Sequence, residues 1–117
     1  MNAIRIRASG TLVLPEPLMD EVISSEGNGG SRILEKCRST IISSMAVQTG
    51  VKVSFDISGN RLKTLVELSG ADFSSMVVSV FRIICNISIE IMSELKIERD
   101  DFARIMSLSD IHVLEVK

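Results

Sequence analysis

No tryptophan and no tyrosine occur in these 117 residues, and phenylalanine supplies only four aromatic rings. A core without large aromatics has to be filled by Ile, Val, Leu and Met, and the apolar fraction of 45% is enough to build one. There is a single histidine, so a Ser-His-Asp or Cys-His catalytic set would have to use His112. His112 stands between Ile111 and Val113 in a terminal strand pattern, with Asp110 too close in sequence to orient it. The two cysteines lie 48 residues apart, Cys37 on an apolar helical face and Cys85 in an apolar run, which points to buried thiols rather than a metal ladder or a disulfide framework. Clustered cations are missing too. Residues 1–63 carry eight basic and six acidic side chains and residues 64–117 five and nine, so neither half has the footprint of a phosphate backbone reader.

The N-terminus, MNAIRIRASG, has no long apolar core and does not read as a signal peptide, so the expected location is cytoplasmic. The longest apolar stretch, Met76 to Met92, spans 17 residues but contains Arg82, Asn86 and Glu90. Each charge at a bilayer centre costs about 2.5–3.5 kcal/mol, so a buried core helix is the better reading, with no membrane partner.

What is present reads as one α/β domain over residues 1–117. Ile4 and Ile6 alternate with Arg5 and Arg7 in a strand that Ser9-Gly10 is expected to interrupt before Thr11-Leu-Val-Leu14. Pro15 and Pro17 end it, and Pro17 opens a short helix through Ile23. A flexible Gly/Ser loop, about residues 24–31, follows. It lacks the lysine of a P-loop and reads as a linker rather than a phosphate cradle. Ser31 is an N-cap for an amphipathic helix over residues 31–49, with Leu34, Cys37, Ile41 and Met45 on its apolar face.

Val51, Val53, Phe55 and Ile57 then alternate with Lys52, Ser54 and Asp56, and Gly59-Asn60 is a two-residue hairpin turn. Placing Ser58 opposite Arg61 sets Ile57 against Leu62, Phe55 against Thr64 and Val53 against Val66, while Asp56 meets Lys63 and Lys52 meets Glu67. An apolar ladder on one side and charge pairs on the other agree on a single register.

From Asp72, a candidate cap, the period becomes helical. Phe73, Val77, Val80, Ile84, Ile87 and Ile91 form one stripe, expected to face the sheet, and Ser75, Ser79, Arg82, Asn86, Glu90 and Ser93 form a polar edge. Val78, Phe81, Cys85, Ile89 and Met92 cover an adjoining face that one small sheet cannot also bury. Together with Arg82 they are the candidate interface. Asp100 is a candidate cap for a short helix through Met106. The cluster Glu98, Asp100 and Asp101 complements a helix dipole without a metal, and residues 111–116 read as a last strand. The expected fold is a two-layer α/β (α+β) sandwich: an antiparallel sheet with the helices of residues 31–49 and 71–95 on one face. No catalytic, cofactor or metal residues are expected.

Residues 51–95 resemble the small dimerising subunit of the KEOPS complex, the Pcc family. The resemblance is carried by Ser58-Gly59-Asn60-Arg61-Leu62, Ala71-Asp72-Phe73 and Ser79-Val80, with Val77 where that family carries an arginine. It implies a β-α-β-β-α order, with the helix of residues 31–49 before the hairpin. It also implies a homodimer, and an accessory, non-catalytic role beside the larger subunit that makes threonylcarbamoyl-adenosine in tRNA, with nucleic acid met only indirectly. Residues 4–15 also look like the opening of a swapped-hairpin antitoxin-type DNA-binding domain, which implies a turn at the glycine and phosphate contacts by Arg5 and Arg7. A third reading is a homodimeric structural protein.

Overall fold

The computed structural model describes residues 3–26, 39 and 50–116 of the chain. The first strand, β1 (Ile4–Val13), leads into a helix, α1 (Glu16–Glu26). A hairpin follows, β2 (Lys52–Ser58) and β3 (Arg61–Gly70), and then a 22-residue helix, α2 (Phe73–Glu94). The chain ends with a 3₁₀ turn at Arg99–Asp101, a single helical turn, α3 (Phe102–Ile105), and two short strands, β4 (Met106–Leu108) and β5 (His112–Val116). The sheet runs β2-β3-β1-β4 with every pairing antiparallel, and β5 lies end to end with β4 along the same side of β1. The helices pack on one side of it, so the architecture is the expected two-layer α/β sandwich. Apart from Ser39, which is helical and exposed, the helix expected at residues 31–49 lies outside the described residues.

Alternation along the strands selects the buried side. Ile6, Ala8 and Leu12 of β1 and Leu62, Thr64, Val66 and Leu68 of β3 are buried beneath α2, while Arg5, Arg7, Lys63 and Glu67 point to the other face. The hairpin has the expected register, Ser58 to Arg61 through Lys52 to Glu67. Gly59, at φ 61°, takes the positive-φ first position of a II′ turn, where a side chain would be strained. The carboxylate of Glu67 also meets Arg7 of β1, at 3.9 Å.

Three expectations change. Ser9-Gly10 does not interrupt β1, and the glycine turn implied by the antitoxin resemblance is not formed. Residues 4–13 pair with β3 without a break, because Gly10 is needed as a flat spot under the helix. A Cβ there would overlap Ile84 Cγ2 of α2 and lie 2.6 Å from Met106 Cε. Helix α1 runs through Glu26, three residues past the expected end, with Met19 and Val22 anchoring it to the core beside Leu14. The helix expected through Met106 is one turn only. Asp100 lies inside the 3₁₀ turn rather than capping it, and β4 begins at Met106 because Leu12 and Gly10 of β1 offer a free side to Met106 and Leu108.

Between β4 and β5 the chain is fixed by Ser109. Its N–H donates to the Ser9 carbonyl at 2.8 Å, and its Oγ accepts the Ser9 N–H at 2.8 Å. That pair satisfies the backbone of Ser9, which with Ala8 lies between the stretches of β1 that the two short strands cover.

Candidate interaction surface

Helix α2 carries the surface. Its start is set by Asp72, whose carbonyl accepts the Met76 N–H at 3.0 Å while its carboxylate accepts the Ser75 hydroxyl at 2.7 Å. That hydroxyl bond holds the Asp72 carboxyl below the usual carboxylate range. The first-turn amides of Ser75 and Ser74 add to the effect, and slight desolvation opposes it. At the other end Lys96, at φ 58°, stands in the left-handed conformation. The Ile97 N–H returns to the Met92 carbonyl at 2.9 Å and the Lys96 N–H to Ser93 at 3.1 Å, a Schellman closure with Lys where Gly is usual.

Between these ends the helix buries Met76, Val80, Ile83, Ile84, Ile87, Ser88, Ile91 and Met92. Of the stripe assigned to the sheet, Val80, Ile84, Ile87 and Ile91 are fully covered, Val77 is half-covered, and Phe73 is 42% exposed because it stands at the first turn, beyond the sheet's cover. Ile83 and Met76 replace it in the core, so the buried arc is turned slightly from the expected one. The Ser88 hydroxyl is buried with no hydrogen-bond partner.

Five of the six candidate interface residues lie on the open side. Val78 is 57% and Ile89 47% exposed, Phe81 and Cys85 are half-buried, and Arg82 is exposed beside them. Met92 is the correction. It is only 3% exposed, part of the main core, and the Schellman turn brings residues 97–103 back beside the end of the helix. That return creates a groove of about 750 Å³, floored by Ile89, Met92, Ile97, Phe102 and Ala103 and rimmed by Glu90, Ser93, Arg99 and Asp100. No pattern in the sequence signals this groove, since only the left-handed turn at Lys96 brings Phe102 to Ile89. A second apolar set, Leu108, Val113 and Val116, is exposed at the β4–β5 margin of the sheet.

The chemistry-bearing residues stay apart. His112 is exposed and lies opposite Arg7. Asp101 pairs with Arg104 at 2.8 Å, and among the described residues no three His, Cys, Asp or Glu side chains gather as a metal site. Arg5 meets Glu115 at 3.7 Å and Arg7 meets Glu67 at 3.9 Å, both at the exposed face of the sheet. By length and composition α2 could cross a membrane; here it is the helical layer over β1 and β3.

No family model matches the chain, and no curated protein matches it. Among solved structures it is similar to MupZ from Pseudomonas fluorescens, at 13% identity and a TM-score of 0.38, over 93% of this chain and 69% of that one. It is similar also to a hydantoinase/carbamoylase family amidase from Burkholderia ambifaria, at 11% identity and a TM-score of 0.38, over 99% of this chain and 28% of that one. The chain therefore spans less than a third of the amidase's length.

Proposed function

We propose that this protein is a non-enzymatic interaction subunit whose working surface is the outer face of α2. The observation that carries the reading is the strip along three turns of a helix whose opposite side is buried, with Val78 and Ile89 exposed and Phe81 and Cys85 half-buried between them, running into the groove at Phe102. Apolar surface collected on one rigid element and edged by polar residues is the usual form of a protein docking site. The finer reading is an accessory subunit of the complex that makes threonylcarbamoyl-adenosine in tRNA. It draws support from the hairpin leading into an Asp-headed helix, the layout on which the Pcc resemblance rests.

Affinity capture with the full chain tests both levels. Wild type should retain a tRNA-modifying catalytic subunit, and Val78→Asp with Ile89→Asp should lose it while circular dichroism stays unchanged. Retention that ignores those substitutions overturns the surface. Capture that depends on them but contains no tRNA-modifying subunit keeps the adaptor and removes the finer reading.

A further inference from the structure

Residues 98–105 run between two hollows, and we propose that they form a strap that closes over the groove at the end of α2 and reopens as one body. The strap is a property of the groove's wall and does not depend on what the outer face of α2 meets.

On one side of the strap lies the groove of about 750 Å³, where Arg99, Asp100, Phe102 and Ala103 face Ile89 and Met92 of α2. On the other side is a smaller hollow of about 300 Å³ toward the start of α1, lined by Pro15, Leu18, Leu95, Asp101, Arg104 and Ile105. Protein segments are normally held by close packing on at least one side, and this one is loose on both. None of its residues is buried, and five of the eight, Glu98, Arg99, Asp100, Asp101 and Arg104, carry charge. Its two large apolar side chains divide between the hollows. Phe102 lines the groove and Ile105 lines the smaller space, each touching the core while partly covered. A shift toward α2 seats Phe102 on Ile89, which is 47% exposed, and draws Ile105 away from Leu18. Each position gains one apolar contact and gives up another, which is the balance a two-position element needs.

The ends of the strap are fixed and its middle is not. Before it, the Ile97 N–H donates to the Met92 carbonyl at 2.9 Å, and after it Met106–Leu108 pairs with β1. Between these anchors the bonds stay within the segment. The Asp101 N–H donates to the Glu98 carbonyl at 3.1 Å, the Phe102 N–H to the Arg99 carbonyl and the Met106 N–H to the Phe102 carbonyl, and Arg104 pairs with Asp101 at 2.8 Å. Among the described residues no backbone hydrogen bond runs from 98–105 to α1, α2 or β1. Arg99–Ile105 is therefore one continuous helical piece that moves without breaking a bond to its surroundings. It is flanked by extended residues, Glu98 at φ −61° and ψ 137° and Met106 at φ −100° and ψ 133°, the element-terminal positions that serve as hinges. A molecule held in the groove selects the open position.

Nitrogen-15 relaxation dispersion on the full chain should show residues 99–105 exchanging at one shared rate on the microsecond-to-millisecond scale, with Ile83–Ile91 of α2 and Met106–Leu108 flat. To hold the strap closed, Ser93→Cys and Asp100→Cys, both exposed on the groove rim, are combined with Cys37→Ser and Cys85→Ser. Dioxygen with copper phenanthroline takes two electrons and two protons from the two thiols and leaves an S–S bond, which requires Cα atoms within about 7 Å. The bond should form within one molecule and reduce the dispersion amplitude about fivefold or more, and dithiothreitol should restore it. Flat profiles in the reduced protein overturn the inference, as do separate rates along the strap or exchange that extends through β4. A disulfide that fails to form within the folded chain overturns closure, and one that forms without reducing the exchange shows that the strap is not its source.

Discussion

Gly10 is the residue on which the two layers meet most closely. A methyl group there would press on Ile84, whose branched Cβ holds its rotamer stiffly, and on the end of Met106, which can move. Gly10→Ala should therefore cost about 1–3 kcal/mol by overpacking, read as a lower urea midpoint with an unchanged slope. Asp72 offers a second test. Its folded pKa lies below the unfolded value of about 3.9, so the stability it contributes is present above about pH 4 and disappears as pH falls through the lowered value. Asp72→Asn should accordingly melt earlier than wild type at pH 7, and the gap should close at about pH 2, where both carry an uncharged side chain. An equal gap at both pH values would place the effect in packing rather than in the charge.

At the scale of the element, α2 has two sides with different consequences. Ile84 and Ile91 are fully buried, and a carboxylate in either place would be stranded without a partner. Ile84→Asp with Ile91→Asp should abolish cooperative unfolding, whereas Val78→Asp with Ile89→Asp should keep the far-ultraviolet spectrum and shift stability by about 1 kcal/mol or less. If both pairs unfold the chain, the outer strip is a core surface. The C-terminal turn gives a gain instead. Lys96 holds a left-handed conformation that costs a side-chain-bearing residue about 1–2 kcal/mol, so Lys96→Gly should raise the melting temperature by a few degrees. The groove depends on that turn, and the substitution should leave its shape intact.

Across the whole molecule, the two faces of the sheet are divided by charge. The helix side is apolar, and the other side interleaves Arg5, Arg7, Lys52 and Lys63 with Asp56, Glu67 and Glu115 along paired strands. The Arg5–Glu115 and Arg7–Glu67 pairs are long and exposed, each worth about 0–1 kcal/mol, and serve mainly to keep that face neutral. A mixed face on a chain of net charge −2 can neutralise few DNA phosphates and so releases few counterions. Duplex DNA should give no mobility shift at physiological salt, and a shift whose salt slope corresponds to several released ions would return Arg5 and Arg7 to the role of DNA contacts.

Local pattern by itself determined the hairpin and the span of α2. The hairpin was legible because two residue sets, apolar and charged, have to agree on one register, and a slip by one residue would turn both inside out. The helix was legible because its polar edge repeats over five turns. Tertiary structure decided what pattern cannot encode. Gly10 looks like a break until a helix lies above it, and Met106 looks helical until the open side of β1 claims it as a strand. Met92 reads as surface until the fold takes it into the core. Periodicity placed five of the six candidate residues on the open side of the helix, while the groove they lead into was invisible. Periodicity assigns each residue an angle around its own helix, but a groove is a distance between segments that only the closing turn at Lys96 brings together.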